Sequence, residues 1–389
     1  MGRNILLVDD EKPVLKALQR SLMSSGLKIF MAENGEAALA ILAHNDIDII
    51  ISDMRMPNVN GHQLLRKVKE FYPSTIRLIL SGYADENEIT RAMLDGSSKM
   101  YLLKPWDSQL LSKIIQQLLE VRELLHQQNL LEFINKMDGL CGQPRIYNKL
   151  IELLSQDVGT KEIATVIEED PAITVKILQI ANSSFYGIKT GSIKQAIVYL
   201  GLTAVKSIVL ATNLCETMEK QNMRYFNKEL LWRHASITNQ LVGQLYYHLI
   251  GQHIPSTAST VGLLHKIGWM AMLCQFPDRY MQISAVLQEQ SNMPFEELEQ
   301  KLIGVSHQAV GGYLLDWWDL PHQVIESAMF HHDPFNDNVV NKELVAIVHI
   351  ASYYSMHKVF PNIKQTLDEN TFSLLQTTKE KCECLIREV

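Results

Sequence analysis

Three aspartates and one lysine lie at the ends of apolar runs in the sequence. Each run is short and mostly aliphatic, and the polar residues that follow are Asp9 and Asp10, Asp53, and Lys104. Three anions held close together repel one another, so they need raised pKa values or a bound cation. Ligand sets made only of oxygen suit Mg²⁺, which keeps several of its waters. Lys104 adds a positive charge that can pair with a carboxylate or with a phosphoryl group attached to one.

The run at residues 47–51 is apolar and β-branched at nearly every position, which is typical of a strand buried on both faces of a parallel sheet. Asp53 would then lie at the carboxyl edge of the sheet, where open α/β sheets place their chemistry. Pro57 and Gly61 mark a following loop. Helical periodicity separates the strand-like runs, at residues 13–24, 36–43, 62–71 and 86–94. This alternation predicts an α/β doubly wound domain with a parallel five-stranded sheet.

The turn after the first apolar run, at residues 8–13, has the sequence VDDEKP and contains no glycine. A pyrophosphate therefore cannot approach this backbone as it does in dinucleotide-binding proteins. Charged residues also collect at strand ends simply because those ends meet solvent. That explanation suits one carboxylate but does not account for the whole ordered set.

The ordered set resembles the receiver domain of bacterial two-component response regulators, over roughly the first 105 to 120 residues. We set this domain at residues 1–120. The resemblance implies that Asp53 accepts a phosphoryl group from a sensor histidine kinase. It also implies that magnesium is held by Asp9, Asp10, Asp53 and the backbone carbonyl of Arg55.

Three further positions match the same family. Ser81, in the segment LILSGYA, matches the hydroxyl that turns toward the phosphoryl group, and Tyr101 matches the aromatic residue that moves with it. Lys104, which precedes a proline, matches the lysine that contacts the phosphate. A phosphoryl dianion at Asp53 would bias these side chains between two arrangements.

The composition is that of a globular protein with two or three domains: of 389 residues, 47% are hydrophobic and 20% are charged. The N-terminus shows no signal peptide, and the most apolar later stretch, residues 197–214, is interrupted by Lys206 and Asn213. We therefore expect a buried helix there and no membrane partner. The five cysteines have no zinc or redox spacing, which favours packing roles and a cytoplasmic location.

Charge is distributed unevenly along the chain, whose net charge is −7. Residues 1–105 hold 13 basic and 13 acidic residues, which leaves 23 basic against 30 acidic in the remainder. A protein that neutralises DNA phosphates usually carries a basic patch. The second part shows no basic run and no recognition-helix pattern, so no DNA partner is expected.

One long helical pattern begins at Asp107 and continues to about Met137. Its apolar residues recur at spacings of three and four, at Leu111, Ile114, Leu118, Val121 and Leu125. A linker helix at residues 107–137 would either pair with a second copy, as a homodimer, or pack its apolar seam within the chain. About two heptads leave both possibilities open. Glycines and a proline at residues 139–144 then mark a domain boundary.

Residues from 145 onward show almost continuous helical periodicity. Residues 164–202 have the sequence ATVIEEDPAITVKILQIANSSFYGIKTGSIKQAIVYLGL, with an Asp-Pro helix start at Asp170. This segment resembles the opening of HDOD domains, relatives of the HD metal-dependent phosphohydrolases that generally lack a complete catalytic set. The resemblance spans roughly residues 138–365 and implies an all-α, HD-like domain followed by a C-terminal helical tail at residues 366–389.

Ten of the thirteen histidines lie after residue 230, which raises the question of a metal site in the second domain. The first histidine of the HD pattern matches His234, and the His-Asp pair falls at His265 and Lys266. The remaining matched positions are His307, His331 and His332 as further ligands, and Ser352 as the late aspartate.

Both aspartates of the HD pattern are thus replaced. An aspartate in such a site bridges metals and orients the attacking water. Lys266 instead places an ammonium where a dication would bind, and Ser352 is a poor replacement for a carboxylate. The sequence therefore predicts an HDOD domain without a cofactor, which signals by binding a downstream protein.

The alternative is a metal-dependent phosphodiesterase of HD-GYP type that hydrolyses cyclic di-GMP with an unusual metal set. That set would be drawn from His234, His265, His307, His331 and His332. The Gly-Tyr-Pro motif of those enzymes is absent from the segment HHDPFNDN at residues 331–338. Histidines in a helical core are more often hydrogen-bonded packing residues than ligands, so we favour the non-catalytic interpretation.

Overall fold

The computed structural model describes residues 3–387 except for residues 24–25, 58, 83–91, 94, 126–129, 131–144, 157, 183–189, 218–227, 289–292, 319, 362 and 364. The chain divides into two compact units, the first containing residues 1–124 and 319–322 and the second residues 125–318 and 323–389. The first has an α/β fold and the second is helical, which confirms the predicted fold classes.

Five parallel strands of the first unit form one sheet in the order β2-β1-β3-β4-β5. They are Asn4–Val8 (β1), Lys28–Ala32 (β2), Ile49–Asp53 (β3), Ile76–Ser81 (β4) and Met100–Leu103 (β5). Strand β3 is central and entirely buried, as its aliphatic sequence predicts. The order of connection reverses between β1 and β3, so their carboxyl ends border the crevice where such sheets bind ligands.

The described helices of the first unit are Lys12–Leu22 (α1), Gly35–His44 (α2), Gly61–Phe71 (α3) and Ser108–Leu125 (α4). Asn34 caps α2 by accepting a hydrogen bond from the backbone of Ala37 at 2.9 Å. Asn60 and Gln63 form a reciprocal capping box at the start of α3. These caps fix where the chain leaves the sheet edge and enters each helix. Of the helix predicted at residues 86–94, only residues 92 and 93 are described, and both are helical.

The apolar seam of α4 is buried. Its residues are each at most 5% exposed: Leu111, Ile114, Leu118, Val121 and Leu125. The seam is therefore covered within the chain, and pairing with a second copy stays a prediction. Apart from Leu130, the predicted continuation at residues 126–137 lies outside the described residues, as does the predicted boundary at residues 139–144.

The second unit is built from helices throughout its described part. The first seven are Arg145–Ser155 (α5), Thr160–Glu168 (α6), Pro171–Ala181 (α7), Ile193–Leu200 (α8), Leu202–Thr217 (α9), Lys228–Ile250 (α10) and Val261–Leu264 (α11). The next are Ile267–Gln275 (α12), Pro277–Gln288 (α13), Phe295–Leu302 (α14), His307–Trp317 (α15), His322–Phe330 (α16) and Lys342–Val359 (α17). Asn370–Leu374 (α18) and Lys379–Arg387 (α19) follow in the predicted C-terminal tail.

Two helix pairs position the histidines of this unit. Helix α17 packs along α10, and α12 packs against α15. The second contact depends on Gly268, because a Cβ there would overlap the backbone of His307 and Gly311. The close approach of α12 to the start of α15 thus fixes the backbone from which His307 projects.

No single helix among the described residues is long and apolar enough to cross a membrane. Ile193–Leu200 and Leu202–Thr212 together have a suitable length and composition, but the chain bends by 112° between them. Gly201, with φ of +78°, lies at the bend. Residues such as Ile197 and Ile208 are buried there, as expected for a helical core segment.

Candidate functional site

Lys104 joins the two acidic strand ends of the first unit. Its Nζ donates hydrogen bonds to Asp9 Oδ2, at 3.0 Å, and to Asp53 Oδ1. Asp9 directly follows β1, Asp53 ends β3, and Lys104 directly follows β5. Only 1% of Asp9 and 7% of Asp53 is exposed. The ammonium therefore compensates two negative charges whose burial would otherwise be unfavourable.

Burial and hydrogen bonding have opposite effects on the pKa values of Asp53 and Lys104. Burial raises the pKa of the Asp53 carboxyl, while the hydrogen bond and charge of Lys104 oppose that rise without cancelling it. The backbone N–H of Arg55 also donates to Asp53 Oδ2, at 2.8 Å. Burial alone would lower the pKa of Lys104, but its hydrogen bonds to Asp53 and Asp9 raise it. Lys104 therefore stays charged and favours the anionic form of Asp53.

A close backbone approach holds Asp53 in position. A Cβ on Gly61 would overlap the carbonyl oxygen of Asp53. The Gly61 N–H also donates to the carbonyl of Met54 at 2.9 Å, which folds the loop after β3 back over the strand end. Glycine is required here because any side chain would push this loop away from Asp53.

Ser81 and Tyr101 lie on the two strands beyond β3. Ser81 ends β4, is fully buried, and its Oγ donates to the carbonyl of Gly82 at 3.2 Å. Tyr101, in β5, is half-buried and packs against the aliphatic core of the sheet. Ser81 thus ends its strand, whereas Tyr101 pairs with Ile79 within the sheet, and a response of either side chain to Asp53 stays a prediction.

The oxygen donors at this edge suit a hard cation. Asp9 and Asp53 offer buried carboxylates, the ligand type that Mg²⁺ prefers, whereas Asp10 and Arg55 are exposed. The predicted carboxylates do not form a group whose ligand atoms all lie within 4.8 Å; within the described parts of the chain, the one such group consists of histidines. Two buried carboxylates around Lys104 still carry a net negative charge that a magnesium ion would neutralise.

In the second unit, His234 and His265 hydrogen-bond to serines. His234 Nδ1 lies 2.8 Å from Ser355 Oγ, and His265 Nε2 lies 3.1 Å from Ser352 Oγ. His265 Nδ1 is 2.8 Å from the carbonyl of Gly262, so both of its ring nitrogens are engaged. Burial lowers the pKa of both histidines well below the usual value. They are therefore neutral, and the serine at the predicted aspartate position occupies a nitrogen that a metal would need.

Lys266 is buried, with 3% of the residue exposed, and its Nζ lies 5.1 Å from the centroid of the Trp269 ring. Burial lowers its pKa to about 8, against the attraction of Glu296 and Glu299. The ammonium at the predicted aspartate position is therefore retained at neutral pH, stabilised by an aromatic face and by these carboxylates.

His307, His331 and His332 form a compact group, called here the histidine cluster. One ring nitrogen of each lies within 4.8 Å of the others, and His307 Nε2 is 3.4 Å from His331 Nε2. His307 and His331 are fully buried, whereas the side chain of His332 is 12% exposed. The structure therefore brings three of the predicted positions together. The ring of His265 lies beside them, with its centroid 5.0 Å from that of His331 and 5.2 Å from that of His234.

Two glutamates that the sequence analysis missed support the cluster. Glu299 Oε2 accepts hydrogen bonds from Nδ1 of His307, at 2.7 Å, and from its backbone N–H, at 2.9 Å. The hydroxyl of Tyr280 donates to Glu299 Oε1 at 2.5 Å. Glu296 Oε1 lies 2.9 Å from His332 Nε2, without the alignment of a hydrogen bond. The only available signal was the spacing of three residues, which places both glutamates on one face of α14.

Two of the three imidazoles in the cluster are neutral. Burial lowers the pKa of His331 well below its usual value and lowers that of His332 to about 3. Burial alone would raise the pKa of Glu296, but the contact with His332 holds it below the usual range. At neutral pH the rings of His331 and His332 are therefore uncharged, and Glu296 is an anion.

A hydrogen-bonded path leads from the cluster toward the C-terminus. Nδ1 of His349 donates to the carbonyl of His331 at 2.7 Å, and the backbone N–H of Asp368 donates to His349 Nε2 at 2.9 Å. Since Nε2 accepts, the His349 ring is neutral with its proton on Nδ1. The segment before α18 is thus tied to the backbone of the cluster.

The fold and these sites define a receiver-type α/β domain followed by a helical HD-like domain. A response regulator receiver domain matches residues 5–116, and an HDOD domain matches residues 140–334. The second match covers half of the chain, and the chain belongs to the HDOD domain family. The suspected combination of a receiver and an HDOD domain is therefore confirmed.

Relatives of known name match the receiver part. The chain is 31% identical over 120 residues to the hydrogenase transcriptional regulatory protein HoxA of Cupriavidus necator, and 32% identical over 115 residues to the response regulator protein FleR of Pseudomonas aeruginosa. These matches cover 31% and 30% of this chain, but only 25% and 24% of the relatives. The chain thus spans about a quarter of the length of these curated relatives.

The helical part has a counterpart among solved structures. A crystal structure of an HDOD domain protein of unknown function from Geobacter sulfurreducens has a TM-score of 0.50 and 23% sequence identity, and covers 68% of this chain and 87% of that chain. At this identity the likeness shows the fold alone.

Proposed function

We propose that this chain is a phosphorelay response regulator, in which a sensor histidine kinase phosphorylates Asp53 and the HDOD domain acts by binding another protein. The observation that carries this proposal is the hydrogen-bonded group of Asp9, Lys104 and Asp53 at the carboxyl edge of the sheet. A carboxylate that receives a phosphoryl dianion needs cations beside its oxygens, and Lys104 already lies there.

In the proposed transfer, an oxygen of Asp53 attacks the phosphorus of a phosphohistidine. A P–O bond forms as the P–N bond breaks, and the released nitrogen keeps the electron pair and takes up a proton. Lys104 stabilises the charge on the transferring group, and the N–H of Arg55 keeps the acceptor carboxylate in place. Magnesium would be held by Asp9, Asp10, Asp53 and the carbonyl of Arg55, and would neutralise the phosphoryl oxygens.

Labelling with a small phosphodonor tests this proposal. With acetyl phosphate and Mg²⁺, the full chain should gain one phosphoryl group, detected by intact mass and by retarded migration on a phosphate-affinity gel. Asp53→Asn should abolish the label because it removes the nucleophilic oxygen. Asp46→Asn, on the exposed residue before β3, is the matched control and should label normally. Label that persists in Asp53→Asn would place the acceptor elsewhere.

Two features support a non-catalytic HDOD output. Lys266 keeps an ammonium at the predicted aspartate position, and Ser352 engages His265 where a carboxylate would bind metal. The alternative, hydrolysis of cyclic di-GMP, is favoured by the proximity of the three histidines in the cluster. A turnover assay with Mn²⁺ distinguishes them. We expect no product, whereas turnover that disappears in His307→Gln would establish the alternative.

The partners proposed are the kinase and a downstream protein, within the cytoplasm. The acidic balance after residue 105 argues against DNA, and a mobility-shift experiment at moderate salt tests that point. Affinity capture with phosphorylated and unphosphorylated chain should retain a protein in one state only. Equal capture in both states would contradict phosphorylation-controlled output.

A further inference from the structure

A cavity of about 800 Å³ lies in the first unit between α1 and the first turns of α4, with Trp106 of the segment after β5 also at its border. Small-molecule sites usually have volumes of about 300–1,000 Å³, so this cavity has the size of a ligand site. Asp9, Asp53 and Lys104 do not line it. The proposed phosphorylation of Asp53 therefore leaves this cavity without a role.

The cavity is bordered by two cations and, among the residues that the structure describes, by no carboxylate. The cations are Arg20 of α1 and Lys113 of α4. Within the described part of the chain, neither side chain forms an ion pair, and Arg20 donates one hydrogen bond, from Nε to the carbonyl of Lys16 at 3.3 Å. The Nη groups of Arg20 and the Nζ of Lys113 are therefore available to an anion, which this positive surface attracts.

A hydrogen-bonded serine fixes the ring of Trp106 beside these cations. Trp106 Nε1 donates to Ser21 Oγ at 3.2 Å, and Ser21 Oγ donates to the carbonyl of Ala17 at 3.0 Å. Because Ser21 has only one proton to donate, the hydroxyl of Ser108, 2.8 Å away, donates to it. All four residues border the cavity. The half-buried indole is therefore positioned before a ligand arrives, which lowers the cost of binding.

Neutral polar side chains complete the lining on α4. Gln109, Ser112 and Gln116 recur at spacings of three and four residues, which places them on one face of the helix, together with Lys113. Amide and hydroxyl groups both donate and accept hydrogen bonds. A ligand with its own ring nitrogens and hydroxyls would therefore find partners along this face.

An aromatic ring, two cations and several amide groups together match the chemistry of a nucleotide. Bases stack on aromatic side chains, and a purine covers more of an indole than a pyrimidine does. Arginine and lysine bind phosphate through charge-assisted hydrogen bonds. A phosphate monoester carries about −1.5 to −2 charges at pH 7, which two cations balance. An acidic peptide would satisfy the cations but would leave the ring of Trp106 unused.

We propose that the cavity between α1 and α4 binds a purine nucleoside monophosphate, with its phosphate at Arg20 and Lys113 and its base on the ring of Trp106. Trp106 lies two residues after Lys104, which donates to Asp53, so a bound nucleotide would be a second input to the receiver. The binding itself does not depend on phosphorylation of Asp53 or on the HDOD domain.

Isothermal titration of the full chain with AMP, in buffer without Mg²⁺, tests the proposal. Adenosine, which lacks the phosphate, and inorganic phosphate, which lacks the base, are titrated in parallel. We expect one equivalent of AMP to bind at least about tenfold more tightly than either fragment, because only AMP uses both the ring and the cations. The indole N–H resonance of Trp106, identified among the five tryptophans by its loss in Trp106→Phe, should shift when AMP is added to the wild-type chain.

Variants locate the site. Arg20→Gln and Lys113→Gln should each weaken AMP binding by about tenfold or more, because each removes a charged hydrogen bond to the phosphate, and should leave the affinity for adenosine unchanged. Lys16→Gln removes the same charge from an exposed position of α1 that does not border the cavity. It is the matched control and should bind AMP as the wild-type chain does. Circular dichroism confirms that each variant is folded.

Four results would overturn the proposal. They are the absence of saturable AMP binding to the wild-type chain, equal affinities for AMP and one of its fragments, unchanged AMP binding in both Arg20→Gln and Lys113→Gln, and tighter binding of a hexaglutamate peptide than of AMP. The last result would indicate an acidic protein segment as the occupant. None of these results bears on the labelling of Asp53 by acetyl phosphate, so failure here is distinguishable from failure of the proposed function.

Discussion

His307 and Glu299 form a completely buried pair, in which the imidazole Nδ1 donates to the carboxylate at a distance of 2.7 Å. The same carboxylate accepts the backbone N–H of His307 and the hydroxyl of Tyr280. One anion thus joins α14, the start of α15 and α13. A carboxylate that is buried away from solvent is stable only when each of its oxygens accepts hydrogen bonds, as both oxygens of Glu299 do.

Glu299→Gln should destabilise the HDOD domain by roughly 2–4 kcal/mol, since an amide cannot accept all three hydrogen bonds and turns an N–H₂ toward donors. Urea unfolding followed by circular dichroism measures the change. Glu297→Gln, on an exposed neighbour in the same helix, is the matched control and should change stability by less than about 0.5 kcal/mol. Equal effects of the two changes would show that the buried carboxylate has no special role.

Lys266→Met should stabilise the domain near neutral pH. The folded pKa of Lys266, about 8, lies below its ordinary value of 10.5, so the unfolded chain holds more protons between these values. The wild-type chain therefore gains stability as the pH rises from about 8 toward 10, and the variant lacks that gain. The advantage of Lys266→Met should be on the order of 2–3 kcal/mol at pH 7 and should shrink toward pH 10.

Urea midpoints at pH 7, 8 and 9 test this dependence on Lys266. Lys301→Met, on an exposed lysine of α14, should follow the wild-type chain at every pH. A pH-independent difference between Lys266→Met and the wild-type chain would mean that the buried amine does not titrate in this range.

Gly61→Ala should impair the receiver, because the new Cβ overlaps the carbonyl oxygen of Asp53 and must displace the loop. We expect a loss of stability of about 1–3 kcal/mol and slower labelling by acetyl phosphate. Gly191→Ala, where an added Cβ meets no atom within 4 Å, is the control for stability. Wild-type stability and labelling in Gly61→Ala would show that the loop tolerates displacement.

Lys104→Met should separate cation binding from phosphorylation. Removal of the ammonium leaves Asp9 and Asp53 uncompensated, so Mg²⁺ should bind about tenfold more tightly, while labelling by acetyl phosphate slows. Isothermal titration with MgCl₂ measures the first effect and gel retardation the second. Lys12→Met, at an exposed surface ion pair, should alter neither. Weaker Mg²⁺ binding in Lys104→Met would contradict a competition between ammonium and metal.

Sequence periodicity predicted the receiver sheet because a strand buried on both faces must be aliphatic throughout, as β3 is. Strand ends then located Asp9, Asp53 and Lys104, since parallel strands bring their carboxyl ends to one edge. The sequence did not predict that Asp10 is exposed. Two successive residues after a strand point their side chains in different directions, and the sequence does not say which of them points into the protein.

The sequence pattern also identified the histidines of the second unit. It did not predict which of them lie close together. His307 and His331 are 24 residues apart in the sequence, yet their Nε2 atoms lie 3.4 Å apart, an approach that tertiary packing produces. Glu299 escaped notice because an acidic residue in a charged helix usually faces solvent. Burial of one such residue is a tertiary effect that local sequence does not encode.

The path from the His331 carbonyl through His349 to the backbone of Asp368 has a consequence for signalling. A displacement of a few tenths of an ångström at the paired histidines would be transmitted to the last two helices without any change in secondary structure. The segment that begins at Asp368 would then follow the position of His331.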